Sequence, residues 1–292
     1  MIVKNINHSS GIAMPCILYG TAWKKDKTAD LVTTAVNCGF RGIDTACQPK
    51  HYNEAGVGEA IQRLTNDGIT RKDLYIQTKF TPLNGQDPLN IPYNRKAPLN
   101  EQVTQSFEVS KRNLGVSYVD GLILHSPLEN IDQLMIVWQT MEEIYNQGGT
   151  KQIGISNCYD LKILKKLYEL SFIKPAVLQN RFYQDTDYDN NIRKWCQEHS
   201  IIYQSFWTLT ANPHILSSEI VQRATQTYQK TAAQIFFRVL VNIGIVPLIG
   251  TCSDKHMKED LEIFNFDLPI SMTQEIASEF NIKIHGDRRQ CE

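Results

Sequence analysis

TADLVTTAVNCGFRGIDTACQPKHYNE, residues 28–54, holds the unit from which the rest of the chain is built. Leu31, Ala35 and Cys38 recur at helical spacing, and Gly39 follows them, as suits a helix C-terminus. Arg41-Gly42-Ile43-Asp44 then reads as a short strand that ends on a carboxylate. Tyr52 stands in the loop beyond it. A helix, a glycine, a strand and a loop bearing reactive groups make one turn of an α/β fold.

The same alternation runs outward in both directions. Strand-like runs occupy residues 17–20, 41–44, 74–79, 119–125, 152–156, 176–180, 201–206 and 245–250. Helical periodicity fills the gaps, as in Leu134, Val137, Trp138, Met141 and Ile144. Eight strands, each followed by a helix, predict a parallel sheet, and in 292 residues the simplest closed form is a (β/α)₈ TIM barrel. Right-handed crossovers place every strand's C-terminal end at one mouth. The first fifteen residues, with Gly11 and Pro15, read as a β-hairpin capping the barrel bottom. No repeat or linker interrupts the pattern, so residues 1–292 read as one domain. One segment departs from it. Residues 81–100, TPLNGQDPLNIPYNRKAPLN, carry four prolines and four asparagines with no regular period. They read as a long loop, a functional lid or a mobile segment, overhanging the mouth after Lys79.

Composition narrows the functions. The net charge of -1 gives no electrostatic footprint for nucleic acid or an anionic membrane. The N-terminus lacks the apolar core of a signal peptide, and the longest apolar runs, such as 243–249, are strand-sized. Seven widely spaced cysteines with no Cys-x-x-Cys pair fit reduced thiols in the cytoplasm. No apolar seam for a partner is evident, and the chain reads as a monomer acting on a small molecule.

Three of the strand-like runs end on chemically useful groups: Asp44, Lys79 and His125. Each has a plain explanation alone, as a helix cap, a solvated lysine or the start of a turn. Together they require three coincidences at successive strand ends. Such a set points to proton chemistry on a small molecule, where a group that gains negative charge needs a proton donor beside it. A phenol, with an ordinary pKa near about 10, is a weak acid, and a nearby ammonium lowers that value. Tyr52 is then the general acid, Lys79 its activator, Asp44 the partner of Lys79, and His125 the group that orients the substrate oxygen.

The motifs that carry these residues resemble those of the aldo-keto reductases. They are Gly39-Phe40-Arg41-Gly42-Ile43-Asp44-Thr45-Ala46, Tyr52-Asn53-Glu54, Gln77-Thr78-Lys79, Leu122-Ile123-Leu124-His125-Ser126-Pro127, Gly154-Ile155-Ser156-Asn157 and Leu178-Gln179. The resemblance spans about Gly11 to Leu268 and implies direct hydride transfer between a nicotinamide cofactor and a carbonyl or alcohol, without metal. In the family the tyrosine follows the aspartate by five positions; here the gap is eight, filled by Cys47-Gln48-Pro49-Lys50-His51. Strict matching on Asn53-Glu54 would put His51 in its place. Tyr52 is preferred because it is the phenol of this loop, Tyr19 and Tyr75 lying on other strands. A metal site from Cys47 and His51 lacks further ligands in the sequence.

The resemblance also implies a cofactor wall. Ser156, Asn157 and Gln179 would hold the nicotinamide carboxamide, with Phe206 stacked on its ring. Thr21 would touch ribose, and Leu209 would lie in the loop over the diphosphate. Gly250, Thr251, His256 and Asp260 would line the adenosine end. The family's Lys-Ser and Arg clamp for a 2′-phosphate is replaced here by Gly250-Thr251 and His256, with Lys255 and Lys258 nearby. NADPH is the expected cofactor, with NADH possible, and the titrating His256 makes that preference pH-sensitive. Trp23, Tyr93 and Trp207 are the expected substrate walls. The short loop after His125 and the brief tail predict an open mouth that admits bulky or varied carbonyls. Two other functions compete. A regulatory nicotinamide-binding module that senses redox state needs the cofactor wall without full catalysis. A metal-dependent barrel hydrolase needs a His-x-His pair at the first strand, where this chain reads Leu18-Tyr19-Gly20-Thr21-Ala22-Trp23.

Overall fold

The computed structural model describes residues 4–7 and 12–285. Gly11, Cys291 and the tail beyond residue 285 lie outside the described residues. The chain opens with an antiparallel hairpin, β1 (Asn5–Asn7) and β2 (Ala13–Pro15). Strands and helices then alternate: β3 (Leu18–Gly20), α1 (Thr28–Cys38), β4 (Gly42–Asp44), α2 (Glu54–Asn66), β5 (Tyr75–Phe80), α3 (Leu99–Leu114), β6 (Gly121–Leu124) and α4 (Ile131–Asn146). The second half continues with β7 (Ile153–Ser156), α5 (Leu161–Leu170), β8 (Val177–Arg181), α6 (Asn190–Glu198) and β9 (Ile202–Phe206). It ends with α7 (Pro213–Leu216), α8 (Glu219–Tyr228), α9 (Ala232–Asn242), β10 (Ile245–Ile249), α10 (Asp254–Leu261) and α11 (Ile270–Glu279).

Strands β3 to β10 close a parallel barrel, β10 pairing with β3 through Leu248↔Leu18 and Ile249↔Tyr19. All eight expected strands are present, and the hairpin closes the bottom. Ile6 and Met14 of the hairpin join Leu18, Tyr75, Ile123, Val177, Ile202 and Val246 in one buried cluster. That cluster plugs the end where the strands begin. A second, larger cluster packs outward-facing strand residues such as Ile43, Ile76 and Leu178 against the helices. Helix α1 ends at Gly39, whose φ of 127° is open to glycine and strained for other residues. Gly58 lets α2 lie directly on α3, since a Cβ there would stand 2.1 Å from the Asn113 carbonyl oxygen.

The 81–100 segment is pinned rather than free. Gln86 Nε2 donates to the Cys47 and Thr81 carbonyls, Gln48 Nε2 to the Gly85 carbonyl, and the Tyr93 hydroxyl to the Thr81 carbonyl. The loop is thereby tied to the one that carries Tyr52. Among the described residues no helix is long and apolar enough to cross a membrane. Cys38, Cys47, Cys158 and Cys252 carry free thiols, whereas Cys16 is disulfide-bonded. That corrects the expectation of reduced thiols throughout: spacing along a chain does not report distances in a closed barrel.

Candidate active site

At the C-terminal mouth, Lys79 and Asp44 form a buried ion pair, Nζ to Oδ2 at 2.6 Å, with side-chain exposures of 1% and 3%. Lys79 Nζ also donates to the Thr45 carbonyl at 2.8 Å. Asp44 Oδ1 is held separately by the amides of Gln77 (2.7 Å) and Gln179 (3.0 Å). Gln204 completes this layer. It exchanges two hydrogen bonds with Gln77, at 2.9 and 3.0 Å, and accepts from Gln179 Nε2 at 2.8 Å. Both oxygens of the carboxylate are thus satisfied, as a buried charge requires. Burial lowers the pKa of Lys79, and Asp44 works against that shift.

The inserted loop brings Tyr52 onto this pair. Beyond β4 the chain stays paired along β5, Thr45 N donating to the Gln77 carbonyl and Cys47 N to the Lys79 carbonyl. It then turns, Tyr52 N donating to the Gln48 carbonyl. Asn53 caps α2 by accepting from Gly56 N and ties back to the Lys25 carbonyl. Glu54 is buried behind β5, where it accepts from the Thr78 hydroxyl at 2.6 Å. These two residues fix the loop end on which Tyr52 sits. Lys79 Nζ lies 5.1 Å from the centroid of the Tyr52 ring, and the His125 ring meets it edge-on at 5.9 Å. Burial pushes the Tyr52 phenol above its ordinary pKa, and the Asp44 charge adds to the rise. His51, in the same loop, packs its ring on Trp23 at 3.9 Å in the cavity wall.

His125 is also buried, and its pKa is held well below the usual histidine range, first by burial and then by Lys79 and His51. Its Nδ1 pairs with the Thr81 hydroxyl at 2.7 Å. With that hydroxyl donating, the ring proton sits on Nε2.

A cavity of about 920 Å³ opens above these groups, at the upper end of small-molecule sites. Its wall includes Asp44, Tyr52, His125, Ser156, Asn157, Gln179, Phe206, Leu209, Gly250, Thr251, His256 and Asp260, together with Trp23 and Trp207. Lys79 lies beneath this wall. Thr21 and Tyr93 do not reach it. The Thr21 hydroxyl is spent on the Asp44 carbonyl, and Tyr93 is buried behind Thr81. Trp23, Asn157 and Trp207 have φ of 64°, 54° and 56°, left-handed values that cost non-glycine residues energy and recur at functional sites. Trp207 is 51% exposed, a wall rather than core.

The polar side chains at the ends of β7 and β8 are largely committed to one another and to their neighbours. Ser156 donates to the Gln179 carbonyl, and Asn157 Nδ2 to the His125 carbonyl and Ser156 Oγ. Both Nε2 protons of Gln179 go to Asp44 and Gln204, so its carbonyl oxygen is the atom left for a ligand. Beyond β10, Thr251 Oγ1 stands 3.5 Å from His256 Nδ1 and accepts from Ser253 N. Lys255 is paired with Glu259 at 3.6 Å and, like Lys258, lies outside the cavity wall. Asp260 is 5% exposed, with no hydrogen bond or ion pair among the described residues, and burial followed by Glu259 lifts its pKa to about 7.

Gln204, Thr81, Lys24 and Arg181 belong to the site without standing out in the sequence, and Gln77 belongs to it with a role that its motif did not reveal. Strand parity carries the signal for three of them: Gln77, Gln204 and Arg181 stand two residues from Lys79, Phe206 and Gln179, and so share their inward face. Lys24 crosses the barrel seam and donates to the Gly250 carbonyl and to Cys252 Sγ.

The model of the Aldo/keto reductase family matches residues 16–279. The chain is similar to the uncharacterized oxidoreductase YtbE of Bacillus subtilis (strain 168), with 30% identity over 262 residues, 89% of this chain and 86% of that one. Among solved structures, an aldo/keto reductase from Brucella melitensis superposes with a TM-score of 0.80 at 25% identity, covering 95% of this chain and 99% of the other. A mutant of Gox0644 in complex with NADPH superposes with a TM-score of 0.78, covering 95% and 94%. At 24% identity that likeness concerns the fold.

Proposed function

Since the chain belongs to the aldo/keto reductase family, we propose that it reduces aldehydes and ketones to alcohols with NADPH, Tyr52 delivering the proton. The chain is an oxidoreductase acting on C=O and CH–OH groups. The reduced nicotinamide supplies hydride to the carbonyl carbon when bound. The chain's own residues handle the oxygen and its proton.

Neutral His125, with its proton on Nε2, donates a hydrogen bond to the carbonyl oxygen and orients it. Tyr52 keeps its proton at neutral pH because burial and Asp44 oppose its loss. As charge develops on the oxygen, the nascent alkoxide is more basic than a phenolate, and the proton crosses to it. Lys79, fixed by Asp44 and Thr45, faces the phenolate that remains. The observation that carries this reading is the packing of one phenol against both Lys79 and His125 in the cavity wall. The same packing favours catalysis over a purely regulatory module, which has no use for a proton donor.

The cavity's chemistry fits a dinucleotide. The Gln179 carbonyl oxygen, Ser156 and Asn157 would meet the carboxamide, and Phe206 the ring. Leu209 would lie along the diphosphate, and Gly250, Thr251, His256 and Asp260 would take the adenosine end. NADH is the second dinucleotide this wall can take, because among the described residues no free Lys or Arg stands beside His256 in it. We place the enzyme in the cytoplasm as a monomer of one domain, with no nucleic-acid or membrane partner.

Tyr52→Phe tests the assignment. Carbonyl reduction is expected to fall about 10²- to 10⁴-fold, with the dissociation constant for NADPH near that of the parent. If His51→Phe has that effect while Tyr52→Phe turns over normally, the proton donor is His51.

A further inference from the structure

Arg181, the last residue of β8, is a cation in the cavity wall that the proposed chemistry does not use. Its guanidinium carbon lies 4.2 Å from the Trp207 ring centroid and 5.2 Å from that of Tyr183. Among the described residues no carboxylate pairs with it, no acceptor takes a hydrogen bond from its guanidinium, and its buried Nε has no partner. The other basic side chains of the cavity wall are engaged. Lys24 bonds to Gly250 and Cys252, His125 to Thr81, and His256 approaches Thr251, while His51 packs on Trp23. Ring contacts attract a guanidinium and spend none of its N–H donors. Arg181 is therefore held in place with its hydrogen-bonding fork unspent.

Barrel topology says what passes over it. The carboxamide residues end β7 and β8, and the adenosine residues follow β10. Strand β9 lies between β8 and β10, and Arg181 pairs in register with Phe206 at its end. A dinucleotide spanning these two ends would carry its central diphosphate over the end of β9, beside which Arg181 stands. Trp207 begins the loop there, and Asn212 anchors that loop by donating to the Phe182 and Thr208 carbonyls. Resting on the nicotinamide reading above, we propose that Arg181 is the counter-cation of the diphosphate bridge. A planar fork matches two phosphate oxygens at once.

Calorimetric titration tests this, because a tryptophan signal would itself respond to changes at Arg181. The ligands are NADH, NADPH and ADP-ribose, against the wild type, Arg181→Met and Arg181→Lys. Methionine keeps an apolar stem against Trp207, and lysine keeps the charge without the fork. The expected result is about a tenfold to hundredfold weakening of all three ligands in Arg181→Met, with partial recovery in Arg181→Lys. Thermal melting of both variants confirms that they are folded. Unchanged affinities in Arg181→Met overturn the inference. So does weakening of NADPH alone, which would move the contact to a 2′-phosphate. A raised KM for a carboxylate-bearing aldehyde at unchanged dinucleotide affinity would instead make Arg181 a substrate residue. If the wild type binds none of the three ligands, it is the nicotinamide reading that fails.

Discussion

The Tyr52 ring packs against a lysine whose charge is already spent. Lys79 sits 2.6 Å from Asp44 and 2.8 Å from the Thr45 carbonyl, and 5.1 Å from the phenol ring centroid. Burial and the Asp44 charge therefore prevail, and the phenol's pKa rises. The expectation that an adjacent ammonium lowers it gives way to the order of distances. The sign has a kinetic consequence. An acid with a raised pKa stays protonated through neutral pH and beyond, and His125, with a lowered pKa, stays neutral down through mildly acidic pH. Carbonyl reduction at saturating cofactor is expected to be nearly flat from about pH 6.5 to 9. Alcohol oxidation, which needs the phenolate as base, is expected to climb throughout that range. Paired pH–rate profiles check both limbs. A reduction rate that falls with a midpoint near about pH 8 would mean that Lys79 does acidify the phenol in the working enzyme.

Helix α10 shows how one element serves both folding and the cavity. Ser253 caps it, accepting from His256 N, and Met257 and Leu261 bury its inner face. The same face carries Asp260 into the cavity wall, where burial raises its pKa from 3.8 to about 7. A folded-state pKa above the unfolded one means that the folded protein binds the extra proton. The contribution to stability is intact below about pH 4, is lost as pH rises toward 7, and stays lost above it. Asp260→Asn removes that loss. It is expected to stabilise the fold at about pH 8 by up to about 4 kcal/mol and by less at about pH 5. Melting temperatures of the two proteins at both pH values measure it. An equal gain at the two pH values would detach the effect from ionisation of Asp260.

For the whole molecule, legibility follows what sets each feature. The eight strands are readable because short apolar runs are closed by polar residues at one end, and that end is the mouth. Asp44, Tyr52 and His125 meet there, above Lys79, because parallel strands bring their ends together. The roles of Gln77 and Gln204 are hidden in the sequence because a glutamine in a strand looks like a solvated position. Barrel closure turns it inward, where it must find an amide or carboxylate partner. Thr21 and Tyr93 fall away from the expected walls because no periodicity governs loops: one hydroxyl bonds back to β4, the other to Thr81. The same global arrangement sets specificity. The loop from β6 to α4 is short, and the 81–100 segment reaches the wall only through Thr81 and Gly85. On the proposed reading, what would face the substrate beyond Tyr52 and His125 is largely ring surface, Trp23 at 58% exposure and Trp207 at 51%. Apolar walls discriminate weakly, about 10- to 200-fold per methylene, whereas strong selection needs buried polar groups matched to one ligand. A panel of aromatic, branched and linear aldehydes and ketones is therefore expected to show kcat/KM values within about a hundredfold of one another. One small carbonyl preferred by about a thousandfold or more would mean that a closing segment, absent from this open wall, completes the pocket.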